Sequence, residues 1–285
     1  MLLKKIKKPY ILKRILLERL SEPLHLNFFS IFVYVFGSYR LKIYFDLVIR
    51  QQHAFGILYA TEKAIKNGLK KLTIIEFGVA NGVGLINLSK ICKRLTKIYG
   101  VEYQIYGFDT GEGMPDPIDF RDHPELYKSG DFKMDQKKLK EILPENCHLV
   151  IGEVKETIKE FINSDLLEES PIGYVCMDLD YYSSTRDALE IFFSNPSKYL
   201  DHFPIYFDDV DEYSHNSRCG ELLAINEFNE SNKNRIIEPH RFLISKRIFK
   251  NAVWINHMFF MHILDHKNRN TLRKGDSVIL TNPYF

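Results

Sequence analysis

The feature that most constrains this chain is residues 72–84, LTIIEFGVANGVG. Leu72, Thr73, Ile74, Ile75 and Phe77 are apolar or β-branched, interrupted only by Glu76. That is the composition of a short strand covered on both faces of a parallel sheet. Gly78, Gly82 and Gly84 follow at once, and then an apolar periodicity (Leu85, Leu88, Ile91, Cys92, Leu95) that predicts a helix. A strand, a glycine-rich turn and a helix bring backbone N–H groups and a positive helix end to one point. Glycine also lets a ligand approach the backbone where a Cβ would stand. The stretch reads as a nucleotide-type cradle; the plainer alternative is a turn that only joins strand to helix.

The dinucleotide pattern G-x-G-x-x-G has no register here, and no lysine lies between Lys71 and Lys90 to complete a phosphate-gripping loop. What stands instead, over residues 76–82, is E-x-G-x-x-x-G. An acid at the strand end suits a cationic ligand better than a pyrophosphate. The pattern resembles the first motif of class I methyltransferases, whose ligand S-adenosylmethionine carries an ammonium and a sulfonium. Cofactor contacts are therefore expected at Glu76, Gly78, Val79 and Gly82.

With 285 residues and 45% hydrophobic content, the chain can build one large α/β domain with a decorated end, or two small domains. A net charge of +2 is too small to make nucleic acid a global partner. Cys92, Cys147, Cys176 and Cys219 show no C-x-x-C spacing and lie in or beside core-like segments. They read as reduced thiols of a cytoplasmic protein, not as a disulfide or zinc framework.

Charge is uneven at the start. Lys4, Lys5, Lys7, Lys8, Lys13, Arg14 and Arg19 face only Glu18 over residues 1–20, and apolar residues alternate among them. This predicts a basic amphipathic helix, either lying on an anionic membrane surface or packing on its own domain or a second subunit. Residues 26–36, LNFFSIFVYVF, are apolar but far short of the roughly 20 residues that cross a bilayer. No small-residue cleavage site follows, which argues against a signal peptide. Burial is expected for this stretch, at a dimer contact or under the site as part of a lid. Residues 44–67 carry one helical pattern, ending at Gly68. The division expected is a helical extension over residues 1–67 and a catalytic domain over residues 68–285.

A second strand, residues 103–109, ends on Asp109, where an acid can accept both ribose hydroxyls at the carboxyl edge of a doubly wound sheet. Thr110 opens a glycine-rich loop over the site or, more plainly, at the surface, and residues 116–135 read as a polar, irregular insertion. A short helix is expected over residues 136–143. A third strand, residues 148–152, is followed by Glu153, placed to accept an adenine amino group or to cap the next helix.

The most informative stretch follows. A fourth buried strand, residues 173–177, runs into Asp178-Leu179-Asp180-Tyr181-Tyr182-Ser183-Ser184-Thr185, and a fifth, residues 204–207, into Asp208-Asp209. Asp211 and Glu212 stand close behind. Two adjacent strand ends thus present carboxylates to one place, where like charges raise each other's pKa unless a cation neutralises them. Oxygen ligands without Cys or His suit a hard cation such as Mg²⁺. The alternative is separate carboxylates capping separate helices, which leaves the doubling unexplained.

The blocks IEFGVANG, GFDTGEGMP, DLDYYSST and FDDV with RCGELLAINEF resemble the macrocin O-methyltransferase family of metal-dependent sugar methyltransferases. That resemblance implies a doubly wound, mostly parallel seven-stranded sheet closed by a C-terminal antiparallel hairpin. It also implies S-adenosylmethionine and Mg²⁺ as cofactors, Asp178, Asp208 and Asp209 as metal ligands, and Asp180 as general base. Val210 stands where the family usually has an aromatic residue, beside the acceptor pocket. The expected activity is O-methylation of a sugar or other small diol-bearing molecule, with a glycosyl acceptor as partner. The readings that compete with it are a catechol-like aromatic acceptor and a membrane-associated binding protein on the same fold.

Residues 235–242 and 252–264 read as the closing strands. His257 and His262 in the second are either structural or an alternative base. A homo-oligomer in the cytoplasm, touching the membrane at its periphery through the basic N-terminus, completes the expectation.

Overall fold

The computed structural model describes residues 14–211 and 214–272. Most of the predicted basic helix over residues 1–20, Glu212 and the chain beyond residue 272 lie outside them. Among the described residues, seven strands form one sheet: β1 (Lys71–Phe77), β2 (Glu102–Asp109), β3 (Cys147–Ile151), β4 (Ile172–Met177), β5 (His202–Phe207), β6 (Arg235–Pro239) and β7 (Met258–Ile263). Their order is β3-β2-β1-β4-β5-β7-β6. The first five run parallel, and β7 enters antiparallel between β5 and β6. This is the mostly parallel seven-stranded sheet, closed by an antiparallel pair, that the resemblance implies.

Burial explains why the strands were legible. From Leu72 onward every β1 side chain is buried, and all of β4 is, so both read as unbroken apolar runs. The helix α4 (Val83–Tyr99) packs on one face through Leu85, Leu88, Ile91 and Leu95. After the short α5 (Gln136–Ile142), the ring of Tyr106 on β2 stacks on His148 of β3 and meets Phe161 of α6 (Val154–Asn163) edge-on.

The helical pattern over residues 44–67 starts late: α2 (Tyr39–Tyr44) ends where it was expected to begin, and α3 (Gln51–Lys66) carries the rest. Between them Asp46 and Arg50 both adopt φ of 51°, a left-handed turn that no glycine or proline announces. Helix α3 is part of the core: Ala54, Ile57, Ala60 and Ala64 are fully buried, and Gly56 lies so close to Tyr174 that a Cβ would stand 2.2 Å from its ring.

Among the described residues of the single chain the lid alternative for residues 26–36 is not formed, and the second closing strand is shorter than expected. Residues 26–36 fall in α1 (Leu24–Phe36), but only Ser30 and Val33 of that helix are buried. The hydrophobic run wraps the whole circumference, and the body of the chain covers only one side of it. The second closing strand starts later than expected, because Val253–Ile255 forms a single 3₁₀ turn whose Trp254 and Ile255 pack inward. No helix among the described residues is long and apolar enough to cross a membrane.

Candidate active site

The carboxyl ends of β1, β2, β4 and β5 meet at a cleft of about 390 Å³, lined on the sheet side by Gly78, Asp109, Thr110, Asp178, Asp208 and Asp209. A cavity of that size suits a small molecule. Sheet order places it where the strands diverge from β1 toward β2 and toward β4, the crevice in which open α/β sheets bind ligands.

The glycine turn is tied tightly to β4. Gly78 has φ of 80°, and a Cβ on it would fall 1.8 Å from the carbonyl oxygen of Asp178, so no other residue fits. The turn is also clasped to β2. Asp109 accepts hydrogen bonds from Val79 N and Ala80 N through Oδ2 (2.9 Å each) and from Gly111 N through Oδ1 (2.7 Å). Its carboxylate therefore organises the cradle as well as lining it. Thr110 closes its own loop by donating to the Gly113 carbonyl (2.7 Å). Glu153 lines the cleft and precedes α6, yet its side chain makes no capping hydrogen bond. Of the two roles expected for Glu153, helix capping is absent.

Glu76, Val79 and Gly82 are not cleft-lining. Val79 is buried and contributes its N–H to Asp109, and Gly82, at φ of 77°, starts α4. Glu76 is buried beneath the first turn of α4, where a Cβ on Gly84 would stand 1.8 Å from its Oε1. Its Oε2 has no hydrogen-bond partner, and burial pushes its pKa up to about 8, against the pull of Arg50. Glu76 also approaches His53 and Cys176 closely enough for a metal. However, His53 Nδ1 is engaged with the Tyr174 hydroxyl (2.9 Å), and the Arg50 guanidinium beside Glu76 and His53 already supplies a cation.

The aspartates converge as the doubled strand ends suggested. Ligand oxygens of Asp178, Asp180 and Asp209 lie within 4.8 Å of one another. Asp180 reaches this set because its backbone turns left-handed, at φ of 58°, which takes it out of strand alternation. A non-glycine residue held there costs about 1–3 kcal/mol and persists only where its surroundings enforce it. Asp208 lines the same cleft but stands outside the trio, its Oδ1 accepting from the Tyr206 hydroxyl (2.8 Å). Burial and then the neighbouring carboxylates push Asp178 and Asp209 well above the carboxylate range. Burial also raises Asp180, against a hydrogen bond from Tyr127. Asp209 Oδ2 is buried without a partner.

The sequence did not reveal three further contributors. Glu221, fully buried on the first turn of α8 (Gly220–Ser231), accepts the Asp209 N–H through Oε2 (3.0 Å). Arg50 brings a positive charge to the buried end of Asp178 from the N-terminal helices. Asp122 pins the insertion: it accepts from Ser183 N (2.8 Å), Ser183 Oγ (2.9 Å) and Ile118 N (2.9 Å). Through that anchor the stretch expected to be irregular becomes a flap, closed by reciprocal backbone bonds between its two arms (Gly130 N to Met114 O and Met114 N to Asp131 O, 2.8 Å each). It contributes Tyr127 and Phe132 to the cleft wall. Only the polar start of α7 (Tyr182–Ala188), Tyr-Ser-Ser-Thr, hinted that a partner would come to it.

The two histidines expected as structural groups or an alternative base stand apart from the cleft. His262 pairs in register with His202, at the opposite end of β5 from the cleft. His257 Nδ1 bonds the Phe207 carbonyl (3.0 Å), its Nε2 lies 3.0 Å from an Asp211 carboxylate oxygen, and the ring does not line the cleft. All four cysteines are free and buried.

No protein-family description matches the chain, and no curated protein matches it. Solved structures do. The calicheamicin methyltransferase CalS11 is 21% identical, over 62% of this chain and 70% of that one, with a TM-score of 0.46. The O-methyltransferase NovP is 17% identical, over 64% and 72%, with a TM-score of 0.45. The MycE methyltransferase of the mycinamycin biosynthetic pathway, solved with Mg, SAH and mycinamycin VI, is 12% identical over 68% and 45%, with a TM-score of 0.36. These likenesses are distant, and the function proposed below rests on the sheet order and the cleft.

Proposed function

We propose that this chain transfers a methyl group from S-adenosylmethionine to a hydroxyl of a sugar or another small diol-bearing molecule, with Mg²⁺ held among the aspartates. The observation that carries this reading is the convergence of Asp178, Asp180 and Asp209 beside the glycine turn, in one cleft at the carboxyl edge of the sheet.

The residues present fit both groups. Every donor in the trio is a carboxylate oxygen, the chemistry of a hard cation. The upward pKa shifts of Asp178 and Asp209 mark a place where a dication would replace bound protons. On the other side of the cleft, the backbone of Gly78 and Ala80 and the uncapping carboxylate of Glu153 offer a surface for a nucleoside bearing positive charge.

Bound there, S-adenosylmethionine supplies an electrophilic methyl group, and Mg²⁺ lowers the pKa of an acceptor hydroxyl. The chain does the rest. Asp178 and Asp209 of the trio would hold the cation, and Asp208, which lines the same cleft, would stand beside them. A carboxylate oxygen of Asp180, in the same cleft, takes the hydroxyl proton. Tyr127 and Phe132 of the flap exclude water and orient the acceptor for in-line transfer.

Methyl transfer from labelled S-adenosylmethionine to a panel of sugars and catechols, in Mg²⁺ and in chelator, tests the reading. Labelled sugar in Mg²⁺ alone is the expected result. Labelled catechol would move the assignment to a flat acceptor against Tyr127 and Phe132. Undiminished transfer in chelator would remove the metal from the account.

A further inference from the structure

Helix α1 is apolar almost all round and bare on most of its surface. Phe28, Phe29, Ile31, Phe32, Val35 and Phe36 are each more than half exposed, Phe28 and Phe36 reaching 73%. Only one side is attached. Ser30 Oγ accepts from Arg19 (3.2 Å), Asn27 donates to the Arg19 carbonyl (2.8 Å), and Glu22, just before the helix, accepts the N–H groups of Lys250 and Asn251. Those bonds fix the pose of the helix and leave its rings outward. A continuous apolar surface of this kind marks an interaction site.

Charge decides the partner. The lysines and arginines between Lys4 and Arg19 immediately precede α1 and face only Glu18. They carry more positive charge than the whole chain's net +2, so the remainder of the chain is net acidic and the basic pole is local. A second copy carries the same positive excess in the same segment, so charge complementarity favours an anionic surface over a copy of this chain. An anionic lipid surface attracts the pole and solvates the rings at once. Length sets the mode of contact. Thirteen residues make a helix about 20 Å long at about 1.5 Å per residue, against a hydrocarbon core about 30 Å thick. The helix can enter one leaflet and cannot cross.

We infer that α1 docks this chain onto an anionic bilayer surface, the rings of Phe28, Phe32 and Phe36 entering the lipid and the positive excess of the preceding sequence supplying the attraction. The inference is independent of the methyl-transfer reading, since it uses no cleft residue.

The test is flotation of the full chain with vesicles of phosphatidylcholine alone and of phosphatidylcholine mixed with phosphatidylglycerol, repeated with Phe28→Ser/Phe32→Ser/Phe36→Ser. These side chains are exposed, so an unchanged thermal unfolding curve is expected for the variant and verifies its fold. The native chain should float with the anionic vesicles, the neutral ones should retain far less, and the variant should lose binding by about tenfold or more. Three results would overturn the inference: no flotation of the native chain with anionic vesicles, undiminished flotation of the variant, or a native dimer that vesicles leave intact and the triple substitution dissociates.

Discussion

The backbone N–H of Asp209 donates to Oε2 of Glu221 across 3.0 Å, inside the protein and beside the aspartate trio. The cleft edge at β5 is thus held from below by an acid that is itself fully buried. Burial and then Asp209 push the Glu221 carboxyl well above its ordinary range. Glu221→Gln keeps an acceptor for the N–H and should leave the unfolding midpoint close to the native one. Glu221→Ala leaves a buried donor unpaired, a cost of about 1–3 kcal/mol. It should lower Tm and weaken Mg²⁺ binding together. Thermal unfolding with and without Mg²⁺ checks both.

Asp122 gives a different readout. Its carboxylate joins the flap to the start of α7 through three hydrogen bonds, while the glycine turn lies across the cleft. Asp122→Ala should free the flap that carries Tyr127 and Phe132, raising KM for the acceptor by about tenfold. Affinity for S-adenosylhomocysteine should stay near the native value. Equal losses in both would place Asp122 in general folding rather than in acceptor positioning.

Glu76 makes stability depend on pH. Its carboxyl is raised to about 8 by burial, above the ordinary carboxylate range near pH 4. A group raised in this way contributes its stability below the unfolded pKa and loses it as pH rises through the folded one. Glu76→Gln stays neutral throughout. The Tm of the variant should therefore pull ahead of the native Tm between about pH 4 and pH 8, by several degrees at the upper end. Parallel Tm curves across that window would show that Glu76 is ionised in the fold.

What the sequence disclosed and what it hid follow from the range of the interactions. The parallel strands were visible because burial on both faces leaves no polar position, and their ends lie within about two residues of expectation. The glycine turn was visible because φ of 80° at Gly78 and the contact with Asp178 admit no other residue. The aspartates were visible as doubled acids at two strand ends. Asp122 and Glu221 were hidden because their partners, Ser183 and Asp209, lie elsewhere in the chain, and an isolated acid carries no sign of them. The break at Asp46 and Arg50 was hidden because neither residue type announces a left-handed turn. What covers α1 was hidden because apolar composition records a preference for burial without naming the covering surface, and nothing within the described chain supplies it.

Titration calorimetry of S-adenosylhomocysteine into the full chain, in Mg²⁺ and again in chelator, tests the central claim most directly. The account predicts one site per chain with micromolar affinity, lost when Gly78→Ala closes the turn against Asp178. The absence of heat in both buffers, with no displacement by S-adenosylmethionine, would contradict it.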